Sequence, residues 1–262
     1  MFTRLRRGLR AGGLRWLRDV IVGRLFPARL EMLDQVRSAV RDRHGLEIGG
    51  PSRVFAAGRL LPIYPLAARI DNVNFATSTA WETALRDGGP FFFDRDRRPG
   101  TQYIREAGAL SGLADQSFEF VLSSHCLEHV ANPLGALQEW RRVVRPGGHL
   151  VLVLPDPRRS FDHRRPITTL AHLQDDLAQG TREDDATHVP EVLAWHDLGR
   201  DPGAGSRDAF RTRISRNVEN RCLHHHVFDL ALLEATLVAT GWQPLALEAA
   251  RPVHLCALAR KT

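Results

Sequence analysis

The chain has only three cysteines in 262 residues, Cys126, Cys222 and Cys256, widely spaced and odd in number. They form no disulfide framework and no Cys-x-x-Cys knuckle. That excludes a disulfide-held secreted scaffold and points to a reducing compartment, the cytoplasm. Lysine is nearly absent: of 36 basic residues, all but Lys261 are arginine. No apolar run approaches the roughly 20 residues of a membrane-spanning helix, and the signal-peptide pattern of an apolar core followed by small residues is missing. Internal repeats and low-complexity segments are also missing. What is present, 43% hydrophobic and 25% charged residues, excludes a disordered chain and suits one large domain with a core, or a domain with a lid.

The net charge is +6 and the sequence pI about 10.1. Much of that charge lies in MFTRLRRGLRAGGLRWLRDVIVGRLFPARL, where arginines alternate with Leu5, Leu9, Leu14, Trp16, Leu17, Ile21, Leu25 and Phe26. The helical spacing predicts a basic amphipathic arm over residues 1–40, packed on the domain with a solvated face. Weak contact with an acidic membrane surface is the alternative. The remainder is close to neutral, so no nucleic-acid partner is expected.

From residue 41 to 262 the pattern is that of one α/β domain. HGLEIG (44–49) predicts a buried strand. A second strand is expected at 67–73, ending on Asp71, and a short helix at 81–87. SFEFVLSSH (117–125) and HLVLVLPD (149–156) read as strands covered on both faces, with an amphipathic helix, PLGALQEWRRVV (133–144), between them. Strand, helix, strand in that order predicts a Rossmann-like, doubly wound, mostly parallel sheet. VFDLALLEATLVATGW (227–242) predicts a further helix. Two last strands joined at Arg251–Pro252 predict an antiparallel closing pair.

An open α/β sheet binds ligands beyond the carboxyl ends of its strands. LEIGGPS runs from a strand into a glycine turn, and Asp71 follows about 20 residues later, the spacing of an acid that binds a ribose. NAD and S-adenosylmethionine both fit that much. The loop lacks the G-x-G-x-x-G spacing that seats a pyrophosphate, and Pro51 has no amide to donate. A sulfonium cofactor needs only an acid and close backbone approach. Glu47, Gly49, Gly50, Asp71 and Asn72 are therefore the expected cofactor residues.

The stretch EAGALSGLADQSFEFVLSSHCLEHVANPLGALQEWRRVVRPGGHLVLVLP (106–155) resembles the central segment of class I S-adenosylmethionine-dependent methyltransferases of the type-11 group. LEIGGPS with PIYPLAARIDNVNF resembles an uncharacterised subgroup of them. The resemblance covers roughly 44–156 and 227–260. It implies adenine contacts from Glu106 and Ala107, a cofactor contact at Ser124, a reversed last strand, and methyl transfer to an oxygen or nitrogen of a small polar acceptor. Pro51 and Arg53 depart from the family's further glycines.

His125, directly after a strand, is the expected catalytic base, because histidine titrates near neutrality. Residues 157–224 break the α/β rhythm and predict a helical cap over the carboxyl edge. Arg164, Arg165 and His226 are the expected acceptor-binding residues. DHRRP, AHLQDD, EDDATH, WHD and HHHVFD supply metal-ligand types, but their spacings match no metal signature, and no metal is expected. A catalytically silent scaffold of the same fold and a metal-dependent hydrolase centred on the insert are the competing readings.

Overall fold

The computed structural model describes residues 30–79, 82–201 and 203–262. Most of the expected arm, residues 1–29, lies outside the described residues. From Leu30 onward the chain is inside the fold: Leu30, Met32, Val36, Ala39 and Val40 are buried, and helix α1 (Leu33–Val40) packs beneath the sheet with Phe120 and Val151.

Eight strands form one sheet in the order β3-β4-β2-β1-β5-β6-β8-β7. They are β1 (His44–Ile48), β2 (Arg69–Asn74), β3 (Pro90–Phe91), β4 (Gly100–Ile104), β5 (Phe118–Ser124), β6 (Val144–Pro155), β7 (Trp242–Ala250) and β8 (His254–Lys261). β1 pairs parallel with β2 and β5, β2 with β4, and β5 with β6, whereas β8 runs antiparallel to both β6 and β7. The apolar runs of β5 and β6 are covered on both faces, as their lack of alternation implies. The chain builds outward from β1 through β2 to β4, then returns to the far side of β1 at β5. Strand order therefore reverses between β1 and β5, which opens a crevice at their carboxyl ends.

Helix α2 (Pro133–Val143) is fixed at its start by Pro133 and by Asn132, whose side chain accepts from Gly135 N. Its buried stripe, Leu134, Leu137 and Trp140, recurs at helical spacing and packs on β5 and β6. Residues 82–87 form no helix, contrary to expectation, and Trp81 lies outside the described residues. The crossover from β1 to β2 holds only one 3-10 turn, Arg53–Phe55.

Between β6 and the last helix lie α3 (Leu170–Gln179), α4 (Val189–Trp195), α5 (Arg207–Ser215) and α6 (Asn217–Asn220). Thr169 and Ser206 cap α3 and α5 by accepting from His172 N and Ala209 N. This insertion has its own apolar cluster of Val192, Ala204, Phe210, Ile214 and Leu223. Helix α7 (Leu230–Ala239), capped by Asp229, returns the chain to β7. Among the described residues no helix is long and apolar enough to cross a membrane.

Candidate cofactor and acceptor site

A cavity of about 360 Å³ opens where the strand order reverses. Four strand ends line it: Gly49 after β1, Asn74 and Phe75 at the end of β2, Glu106 and Ala107 after β4, and Ser124 and His125 at the end of β5. The insertion adds Glu183 and Arg221 as a wall.

The glycine turn is shaped from within. Gly49 has φ +83°, and a Cβ there would lie 3.2 Å from the Cys126 side chain. Glu47 does not face the cavity. Fully buried, it accepts from Ser52 N at 3.0 Å and from Tyr64 Oη at 2.8 Å. Burial pushes its carboxyl up to about 7, against the opposing hydrogen bonds from Ser52 and Tyr64. Gly50 N donates to Asn72 Oδ1 at 3.0 Å, and Gly50 O accepts from Asn72 Nδ2 and Asn74 Nδ2. Asn72 thus props the turn from beneath, outside the cavity lining.

Asp71 is not at a strand end. β2 continues to Asn74, because Ile48 of β1 pairs with Val73. The Asp71 carboxylate is already taken: Oδ1 accepts from Thr101 N at 2.7 Å and Arg69 Nε at 2.8 Å, and Oδ2 lies 3.1 Å from His44 Nε2. Burial opposes its ionisation, yet the bonds with His44, Thr101 and Arg69 hold its pKa below the usual carboxylate value. Residue separation alone cannot locate a strand end. The residues of this stretch that reach the cavity are Val73, Asn74 and Phe75.

Glu106 lies at the cavity with its carboxylate on Arg221, Nη2 to Oε1 at 2.6 Å. Arg221 also lies 3.7 Å from Glu183 and stacks 5.2 Å over the Phe75 ring centroid. Burial pushes the Glu183 carboxyl up to about 7. Ala107 is fixed by its carbonyl, which accepts from Trp140 Nε1 at 2.8 Å. Sequence reading missed Arg221, Glu183 and His254 because nothing local marks them; the insertion and the last strand bring them in.

His125, with φ +51°, puts Nε2 3.0 Å from His254 Nδ1. Burial, with His254 and His224 nearby, pushes its pKa down to about 3, so the ring is uncharged at neutral pH. Behind it is Glu128, 3.7 Å from His125 Nδ1 and 3.9 Å from His129 Nε2. Glu128 is buried, both its carboxyl oxygens lack a hydrogen-bond partner among the described residues, and burial pushes its pKa up to about 7.

The expected acceptor clamp lies elsewhere. Arg164 is exposed and pairs with Asp197 at 3.4 Å. Arg165 is buried and saturated by Asp162, Glu191 and the carbonyls of His224 and His225. His226 is buried against Ala131 O, outside the cavity lining.

Residues 81–152 match the family described as "Methyltransferase domain". Two curated relatives, both called uncharacterized methyltransferases, match short segments. That from Mycobacteroides abscessus is 44% identical over 54 residues, 21% of each chain. That from Mycobacterium bovis is 40% identical over 68 residues, 26% of this chain and 25% of the relative. The matches thus span about a quarter or less of these relatives' length. A crystal structure of an S-adenosylmethionine dependent methyltransferase from Mesorhizobium loti superposes with a TM-score of 0.50 at 16% identity, over 88% of this chain and 97% of that one. The strand order with its reversed β8, the crevice at the switch between β1 and β5, and the matched central segment agree: the chain has a Rossmann-like methyltransferase fold, and its residues 81–152 match the methyltransferase domain family.

Proposed function

We propose that the protein transfers a methyl group from S-adenosylmethionine to an oxygen or nitrogen of a small polar acceptor in the cytoplasm. The observation that carries this reading is the cavity at the strand-order reversal, walled by four strand ends and the insertion.

The donor set suits this cofactor better than a dinucleotide. Only one 3-10 turn follows the glycine turn, so no helix N-terminus is available for a pyrophosphate. Gly49 leaves room for close approach of a ligand without a phosphate. Bound there, S-adenosylmethionine supplies an electrophilic methyl on a sulfonium. Glu106 and Ala107 border the adenine end, Asn74 and Phe75 the ribose, and Gly49 and Ser124 the methionine end. His125, uncharged, accepts a hydrogen bond from the acceptor's O–H or N–H and orients it. Glu128 behind it takes up the released proton. Arg221, bridging Glu106 and Glu183, holds the insertion against the cavity and limits water.

Calorimetric titration with S-adenosylhomocysteine tests the reading: one site per chain is expected, and absence of heat at high ligand concentration contradicts it.

A further inference from the structure

The insertion gathers four potential ligands that its sequence scatters. One donor atom each from His172, Asp176, His188 and His226 lies within 4.8 Å of the others. His172 and Asp176 are one turn apart on α3, His188 stands just before α4, and His226 lies on the segment that enters α7. His172 Nε2 is 3.1 Å from His188 Nε2 and 3.5 Å from Asp176 Oδ2, and His226 Nε2 is 3.7 Å from the same carboxylate oxygen. A tetrahedral cation with bonds of about 2.0–2.1 Å holds its ligand atoms roughly 3.3–3.4 Å apart. The three contacts bracket that spacing.

The polar accounting also leaves room for a cation. Asp176 is 8% exposed, and its Oδ2 has no hydrogen-bond partner among the described residues, while Oδ1 accepts from Thr181. His226 is 1% exposed, and its Nε2, the ring nitrogen nearest Asp176, has the Ala131 carbonyl at 3.2 Å as its other neighbour. His172 and His188 face each other through ring nitrogens, an arrangement in which one ring must donate to the other unless both ligate the same ion.

We propose that His172, Asp176, His188 and His226 form a structural zinc site that pins the insertion in place. Three imidazoles and one carboxylate are zinc ligand types, and four protein ligands with no open position mark a structural rather than a catalytic site. The site has a direct bearing on the cavity. The loop between Asp176 and His188 carries Glu183, which lines the cavity, accepts from Ala131 N and pairs with Arg221. A cation at its two ends fixes that loop.

The test uses the full chain, stripped with a chelator, equilibrated with zinc, analysed for metal content, and titrated with Co²⁺ followed by absorption. The expected result is one zinc per chain, a tetrahedral cobalt spectrum and a higher Tm with zinc. His172→Gln, at a side chain 41% exposed, keeps the fold and weakens cobalt binding by at least the roughly 10–100-fold that outer-shell changes cost. Asp176→Asn does the same, whereas His163→Ala, a cap histidine paired with Asp197, leaves binding unchanged. The proposal is overturned if the wild type binds no zinc at micromolar concentration. It is also overturned if His172→Gln and Asp176→Asn keep wild-type affinity, or if affinity falls only in Glu128→Gln, which would place the metal beside His129 and His224.

Discussion

The Glu47 carboxyl group fills the space that a side chain on Gly50 would need: a Cβ there would come within 2.3 Å of Glu47 Cδ. The glycine and the acid in LEIGGPS are therefore partners of each other. The acid is buried to anchor Ser52 and Tyr64, and the glycine lets the turn fold back over it. Of the two glycines only Gly49 lines the cavity, with Ile48, Pro51 and Ser52 beside it, while Glu47 and Gly50 stay behind it.

This burial makes stability depend on pH. The Glu47 pKa is raised to about 7 in the fold, so its contribution is present below the unfolded value near 4.5 and lost as pH rises through about 7. Relative to Glu47→Gln, the wild type loses about 3 kcal/mol between pH 4.5 and 7, from a shift of roughly 2.5 pH units. Urea unfolding of both proteins across that range measures the difference; parallel curves would contradict the assignment.

Asp71→Asn removes the carboxylate that holds Arg69 and His44 in place, without touching the cavity. The expected loss is about 1–3 kcal/mol of stability, with S-adenosylhomocysteine affinity unchanged. A lost cofactor site in a folded variant would restore a ribose role to Asp71.

The two arginines of the insertion separate cleanly. Arg165→Ala leaves the buried Asp162 with His224 as its remaining ion partner, strips the carbonyls of His224 and His225 of their donor, and costs about 3 kcal/mol. Arg164→Ala, on an exposed side chain, costs less than about 0.5 kcal/mol. Equal melting temperatures for the two variants would show that Arg165 is not the internal brace described.

Glu128, the proposed proton acceptor, stands 3.7 Å from His125 Nδ1, and its titration is observable without an acceptor. One carboxyl resonance titrating near pH 7 should vanish in Glu128→Gln while S-adenosylhomocysteine affinity holds. With an acceptor in hand, wild-type turnover rises with pH through about 7, and the variant loses that limb and on the order of 10²-fold in rate. An unchanged pH profile in Glu128→Gln would remove it from the proton path.

The fold was legible because its signals are local and repeated. Unalternating apolar runs at 118–124 and 150–155 mark strands covered on both faces. Pro133 and the Leu134, Leu137, Trp140 stripe mark the helix between them. His125 was legible because it directly follows an expected strand, whereas Glu106, Ala107 and Ser124 were legible only through the family resemblance of 106–155. Asp71 misled because strand register, not residue count, decides which residue ends β2. Arg165 misled because nothing local distinguishes a buried, saturated arginine from one free to bind. Arg221 and His254 were invisible because they reach the cavity only after α6 and β8 have folded back. The cluster of His172, Asp176, His188 and His226 has no sequence signature for a related reason: His226 comes 38 residues after His188 and meets it only in the folded insertion.

The most direct test of the cavity as the cofactor site is calorimetric titration of S-adenosylhomocysteine into wild type, Ala107→Trp and Asp71→Asn, each first shown to be folded by its melting transition. Ala107 lines the cavity and is anchored through its carbonyl, so the larger side chain fills the space without breaking the bond to Trp140. The account predicts one site per chain in wild type and Asp71→Asn, and none in Ala107→Trp. Wild-type affinity in Ala107→Trp, or loss of binding in Asp71→Asn alone, would contradict it.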